Sequence, residues 1–332
     1  MLVQSGLLVA SLLVMTLGAE ALVRGAVAVA KRFGVSSFFI GLTIVGFGTS
    51  TPELCTSLVA AWKGTGDIAV GNVVGSNIFN IAVILGITAL ICPIPLRLDV
   101  VKREVIVVIG VACVPFIACL SGGTLGRWTG GVMVALLVVF LWNGYRRGLA
   151  QNQQDLQANA EAELETELAL PSSDAKARPL VHLAMIAFGL ALLVGGSWLL
   201  VQSATSIAKS LGVSDLVIGL TIVAAGTSAP ELVTSLVAAL RKQPDISVGN
   251  ILGSNVFNVL GILGLTCVVM PQEVSRQTLA LDLPVMLAVS LACLPIMMSG
   301  SRISRAEGAA MLVFYAVYAY ALFAWAPAWF AG

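Results

Sequence analysis

Two carboxylates sit where a carboxylate is costly. Glu53 and Glu231 each lie inside a long apolar run, directly after a proline, in the settings Thr49-Ser50-Thr51-Pro52-Glu53 and Thr227-Ser228-Ala229-Pro230-Glu231. An ionised acid at mid-membrane depth costs about 3 kcal/mol or more, so it persists only with a partner. Neither run holds a Lys or Arg at the same depth. That leaves a protonated, hydrogen-bonded pair or a bound cation, and the shared Thr-Ser-x-Pro-Glu setting favours the cation. Hydroxyls from Thr49, Ser50, Thr227 and Ser228, with amide oxygens, complete an all-oxygen shell. Such a shell suits Ca2+ or Na+ and not Zn2+ or Cu2+.

The prolines add to this chemistry. Pro52 and Pro230 have no amide proton, so the carbonyls of Gly48 and Gly226, four residues earlier, lose their helical partners. Broken backbone at membrane depth survives only where protein or a water-filled cavity covers it. Further along, Ser76 and Asn80 are four residues apart, hence on one helical face, and Ser254 with Asn258 repeats the spacing. Asn72 and Asn250 extend the same stripe by a turn. Gly71 and Gly75 beside them also fit close helix packing. Asp67 and Asp245 precede these segments as expected N-caps. Glu104 and Asp282 are expected first-turn acids, and Glu20 is spaced to pair with Arg24.

The elements that must position these groups are membrane helices. Of 332 residues, 58% are hydrophobic and 11% charged, with a mean hydropathy of +0.98. A soluble domain needs roughly a quarter of its residues charged, so most of the outside faces lipid. The net charge of +1 gives no footing for nucleic acid. The six cysteines lie in apolar stretches without ligand spacing and read as packing residues. Apolar runs of spanning length occur at Leu2–Val23, Phe38–Trp62, Val70–Ile91, Val100–Leu120, Leu125–Tyr145, Leu180–Gln202, Leu216–Leu240, Val248–Met270, Leu279–Met298 and Ala306–Trp329. An acidic, polar linker at 146–179 divides them five and five, and a solvated, partly helical loop is expected there. With both termini outside and the linker cytoplasmic, all Lys and Arg residues except Lys63, Arg127, Lys209 and Arg276 fall inside.

An internal repeat organises the chain. Residues 41–90 align without a gap on 219–268 at an offset of 178, with 31 of 50 positions identical. Each unit holds five spans, an odd number, so the two copies enter the membrane in opposite directions, as in secondary transporters. The expectation is therefore an all-α integral membrane protein of ten transmembrane helices in two inverted five-helix repeats, 1–145 and 180–332, with helices two and seven broken. Their ion-binding segments are 41–90 and 219–268.

These two repeat segments closely resemble the signature repeats of the cation/Ca2+ exchanger superfamily, specifically the prokaryotic sodium/calcium exchangers. The resemblance implies an antiporter of the cell membrane, not an enzyme, exchanging Ca2+ for Na+ by alternating access. It places a central site between spans two, three, seven and eight, with spans one and six sliding across them. Position by position, it implies ligands from Thr49, Ser50, Glu53, Ser76 and Asn80, and from Thr227, Ser228, Glu231, Ser254 and Asn258. The backbone carbonyls of Gly46 and Ala224 correspond to further Na+ ligands. One departure is that sodium/calcium exchangers carry Asp where this chain has Asn258, so the site holds at most two negative charges. No cofactor is implied, the partners are Ca2+, Na+ and lipid, and the oligomeric state is left open, a monomer being compatible with the pattern. The alternatives are a proton-driven or K+-dependent Ca2+ antiporter and, further off, a cation channel. Proton-coupled relatives place their acid in Gly-Asn-x-x-Glu, and this chain has no Glu after Gly71-Asn72 or Gly249-Asn250.

Overall fold

A computed structural model describes residues 2–64, 66–96, 98–119, 123–165, 179–211, 224–298, 300 and 302–324. The described chain is helical apart from short two-residue strands. In order the helices are α1 (Leu2–Phe33), α2 (Ser37–Thr49), α3 (Thr51–Trp62), α4 (Gly66–Ile91), α5 (Leu98–Cys119), α6 (Arg127–Glu165), α7 (Pro179–Ser210), α8 (Ala224–Thr227), α9 (Ala229–Leu240), α10 (Pro244–Val269), α11 (Thr278–Met298) and α12 (Arg305–Ala324). By length and composition α1, α4, α6, α7, α10 and α11 can each cross a membrane. The pair α2 and α3, bent by 45° around Ser50, adds a seventh when it is counted as one broken span. Large apolar side chains cover the outside, among them Leu13, Leu17, Val138 and Phe188, with Trp62 and Trp128 standing out at helix ends. That surface fits lipid better than water.

Several boundaries move. The first and sixth runs, expected to stop at Val23 and Gln202, continue as helix to Phe33 and Ser210. Charged residues end an apolar run without ending backbone hydrogen bonding, so α1 and α7 outrun the hydrocarbon. Likewise α6 continues through the first part of the polar linker to Glu165; 166–178, and the repeat copy of Gly41–Val45 at 219–223, lie outside the described residues. Asp67 and Asp245 are not N-caps: each sits in the first turn of its helix, and Gln243 holds the cap position before Pro244. Glu104 and Asp282 lie deeper than a first turn and are buried. Glu104 pairs with Arg147 at 3.3 Å, and Asp282 accepts from the Tyr318 hydroxyl at 2.8 Å.

Two crossings hold the molecule together. Antiparallel α1 and α7 meet at Gly18 and Gly189, where a Cβ on either would come within 2.8 Å of the other's carbonyl oxygen. Only glycine permits that approach. Met15 and Leu193, both sealed from solvent, pack beside it. The second crossing sets α10 against α2: a Cβ at Gly253 would lie 2.1 Å from the Leu42 carbonyl oxygen. Around α4 and α10 the large core gathers, with α5 and α11 closing over it. Short antiparallel strand pairs tie loops from opposite halves, β1 (Ile94–Pro95) with β4 (Arg302–Ile303) and β2 (Thr124–Leu125) with β3 (Gln272–Glu273). Shifted by 178 residues, each pair becomes the other.

Candidate functional site

The break in each half is built alike. Ser50 (φ −81°, ψ 8°) and Ser228 (φ −87°, ψ 6°) leave helical geometry, and a new helix starts at the next residue. Pro52 and Pro230 fall in the first turn of α3 and α9, where a missing N–H leaves no hydrogen bond unmade. Glu53 and Glu231 occupy the same first turns, so the helix dipole favours their negative charge. The break thus does two things at once: it frees backbone and places an acid at a helix N-terminus.

One freed carbonyl already has a partner. The Gly226 carbonyl, which Pro230 deprives of its helical partner, accepts the Ser197 hydroxyl of α7 at 2.7 Å. Position 19, the counterpart of Ser197, is an alanine with no hydroxyl to offer.

The two halves exchange hydrogen bonds across the centre. Ser228 Oγ donates to Glu53 Oε1 at 2.9 Å, and Ser50 Oγ donates to Glu231 Oε1 at 2.9 Å. Ser228 also reaches Ser76 Oγ at 3.3 Å. Thr49 Oγ1 contacts the Val45 and Gly46 carbonyls and Asn250 Oδ1, the last at 3.1 Å. Ser254 Oγ donates to the Gly46 carbonyl at 3.3 Å. Thr227 is buried beside Ser228, and Ala224 opens α8. Asn72 and Asn250 work as braces: Asn72 Nδ2 donates to the Glu53 carbonyl and Ser57 Oγ, and Asn250 Nδ2 to the Glu231 carbonyl and Ser235 Oγ.

A π-helical turn follows in α4 from Asn80 and in α10 from Phe257. Such turns re-aim side chains and gather at functional sites. Asn80 Nδ2 donates to Asn255 Oδ1 at 3.0 Å, and Asn258 Nδ2 to Asn77 Oδ1 at 3.1 Å. Asn77 and Asn255 were not singled out from the sequence. Their signal was present, since the Gly-Ser-Asn triplet recurs at both positions.

After these bonds are made, the residues of this centre leave four buried oxygens without a protein partner, Glu53 Oε2, Glu231 Oε2, Asn80 Oδ1 and Asn258 Oδ1, along with one buried nitrogen, Asn255 Nδ2. Unmatched buried acceptors cost about 1–3 kcal/mol each, more when charged. All four are acceptors, two from each half and all from residues the sequence singles out as ligands. A hard cation satisfies such a set in one step.

Comparison with known proteins gives matches along most of the chain. The model of the family described as sodium/calcium exchanger protein matches residues 3–145 and 181–324, leaving out little more than the linker. Inner membrane protein YrbG of Escherichia coli is 35% identical, over 88% of this chain and 87% of its own. Sodium/calcium exchanger MaX1 of Methanosarcina acetivorans is 32% identical, over 96% and 97%. The solved structure of the sodium-calcium exchanger NCX_Mj soaked with Na+ and Ca2+ superposes with a TM-score of 0.79 at 28% identity, covering 97% of this chain and 98% of that one.

Proposed function

This chain belongs to the sodium/calcium exchanger protein family, a family of membrane transporters and not enzymes, and on that premise we propose that it exchanges Ca2+ for Na+ by alternating access. The transported ion binds between α2, α3, α4, α8, α9 and α10. Glu53 and Glu231 supply the charge, with Thr49, Ser50, Ser76, Asn80, Thr227, Ser228, Ser254 and Asn258, and the Gly46 and Ala224 carbonyls, as neutral oxygens. The set of four unpartnered buried oxygens carries this reading. The ten spans form two inverted five-helix halves, 1–145 and 180–332, in a prokaryotic inner membrane, with both termini outside and the 146–179 linker inside. The antiparallel α1 and α7, and hydrogen bonds that recur at an offset of 178, support that arrangement.

Uptake of radioactive Ca2+ into vesicles carrying the purified protein, under imposed Na+, K+ or pH gradients, tests the proposal. An outward-directed Na+ gradient should drive uptake. Uptake that ignores Na+ and follows pH would transfer the reading to proton/Ca2+ exchange.

A further inference from the structure

Four asparagines meet at the centre: Asn77 and Asn80 of α4, Asn255 and Asn258 of α10, each at most 3% exposed. An asparagine side chain has a donor end and an acceptor end. Which end faces the ion is therefore decided by whatever holds the other end. A backbone carbonyl can only accept, so the Asn77 amide nitrogen turns to the Asn255 carbonyl, at 3.3 Å, with Met286 Sδ beside it at 3.6 Å. Asn77 Oδ1 then points at Asn258 and demands a donor. Asn258 answers with Nδ2 at 3.1 Å, and its oxygen is left unpartnered and buried. The other arm runs from Asn255 Oδ1 to Asn80 Nδ2 at 3.0 Å. Its outer end has no anchor, because Asn255 Nδ2 has no partner.

We propose that Asn77 is a positioning residue that holds Asn258 oxygen-first toward the transported cation, and that Asn255 holds Asn80 in the same sense through an unanchored bond. This rests on the central-site reading above and adds what makes two amides, whose nitrogen ends would repel a cation, into dependable oxygen ligands. Without the Asn77 acceptor, Asn258 has nothing to bind its nitrogen, and half of its rotations present the wrong end.

The test is a double-mutant cycle in equilibrium Ca2+ titration of the purified full-length protein. Asn77→Ala should weaken Ca2+ binding about tenfold, the factor one buried hydrogen bond is worth. In an Asn258→Asp background the same substitution should weaken binding less than about twofold, because a carboxylate has an oxygen at both ends. Equal losses in both backgrounds, or no loss from Asn77→Ala alone, would overturn the proposal. Should Asn77→Ala fail to fold, Asn255→Ala in the presence and absence of Asn80→Asp runs the same cycle on the other arm, with a smaller expected loss; equal losses there would overturn it too. A Glu53→Gln control separates the two readings. If it keeps wild-type affinity the central site itself is wrong, whereas loss there with additive asparagine effects removes only the positioning role.

Discussion

At the scale of single residues, each acid is held by a serine from the opposite half while keeping one oxygen free. Replacing Glu53 or Glu231 by Gln keeps the shape but halves the negative charge facing a divalent ion. Unit charges about 4 Å apart interact by roughly 4 kcal/mol at a protein-like effective dielectric, so Ca2+ binding should weaken by at least about a hundredfold. Titration calorimetry on protein that still elutes as a single species checks this. Asn258→Asp works in the other direction. Two carboxylates already balance one Ca2+, so a third deepens the bound well; vesicle turnover should fall while apparent Ca2+ affinity rises or holds. The acids and hydroxyls were legible in the sequence because a motif written twice with the same polar residues cannot be accidental apolar drift. Asn77 recurs in the same way, but its role was hidden for a geometric reason. It stands one residue, about 100° of helix, from Ser76, and only the crossing with α10 reveals that this second face is also turned to the centre.

At the scale of elements, the sequence announced the helix breaks through Pro52 and Pro230, and both lie one residue before an acid at a helix start. What it could not announce was the fate of the Gly226 carbonyl, since Ser197 lies 29 residues earlier, on another helix, and has no hydroxyl counterpart in the first half. Helix ends were equally illegible, because the hydrocarbon boundary and the helix boundary are different physical limits. The packing of α2 on α10 gives an element-level prediction. In Gly253→Ala, the added methyl would meet the Leu42 carbonyl at 2.1 Å and force the two helices apart. A loss of about 1–3 kcal/mol of stability is expected, read as a lower melting temperature in detergent. Ca2+ binding should weaken too, since Ser254 reaches across this contact to the Gly46 carbonyl.

At the scale of the whole molecule, the offset of 178 residues relates strand pairs, helix breaks and hydrogen bonds, but, like the Ser197 hydrogen bond, an ion pair on α1 stands outside it. Glu20 of α1 is gripped twice, by Arg24 at 2.5 Å and by Arg241, just past α9, at 2.7 Å. Its counterpart is Trp198, and those of Arg24 and Arg241 are Gln202 and Lys63, so the position equivalent to Glu20 carries no carboxylate. The same asymmetry shows in exposure. Val237 of α9 packs into the core that α1 shares, whereas its counterpart Val59 of α3 is 52% exposed. Under the proposed cycle α1 slides across α9, so this ion pair must open once per turnover, and the repeat-equivalent residues cannot form its like at the far end. Exposed ion pairs contribute about 0.2–1 kcal/mol, which makes the bias small but one-sided. Glu20→Gln should therefore change the ratio of inward to outward Ca2+ flux by up to about fivefold at low salt, and the change should fade as salt screens the pair. A ratio that stays put at low salt would show that the grip does not weigh the two ends differently. In the language of machines, Glu20 gives a device with matched halves a resting position.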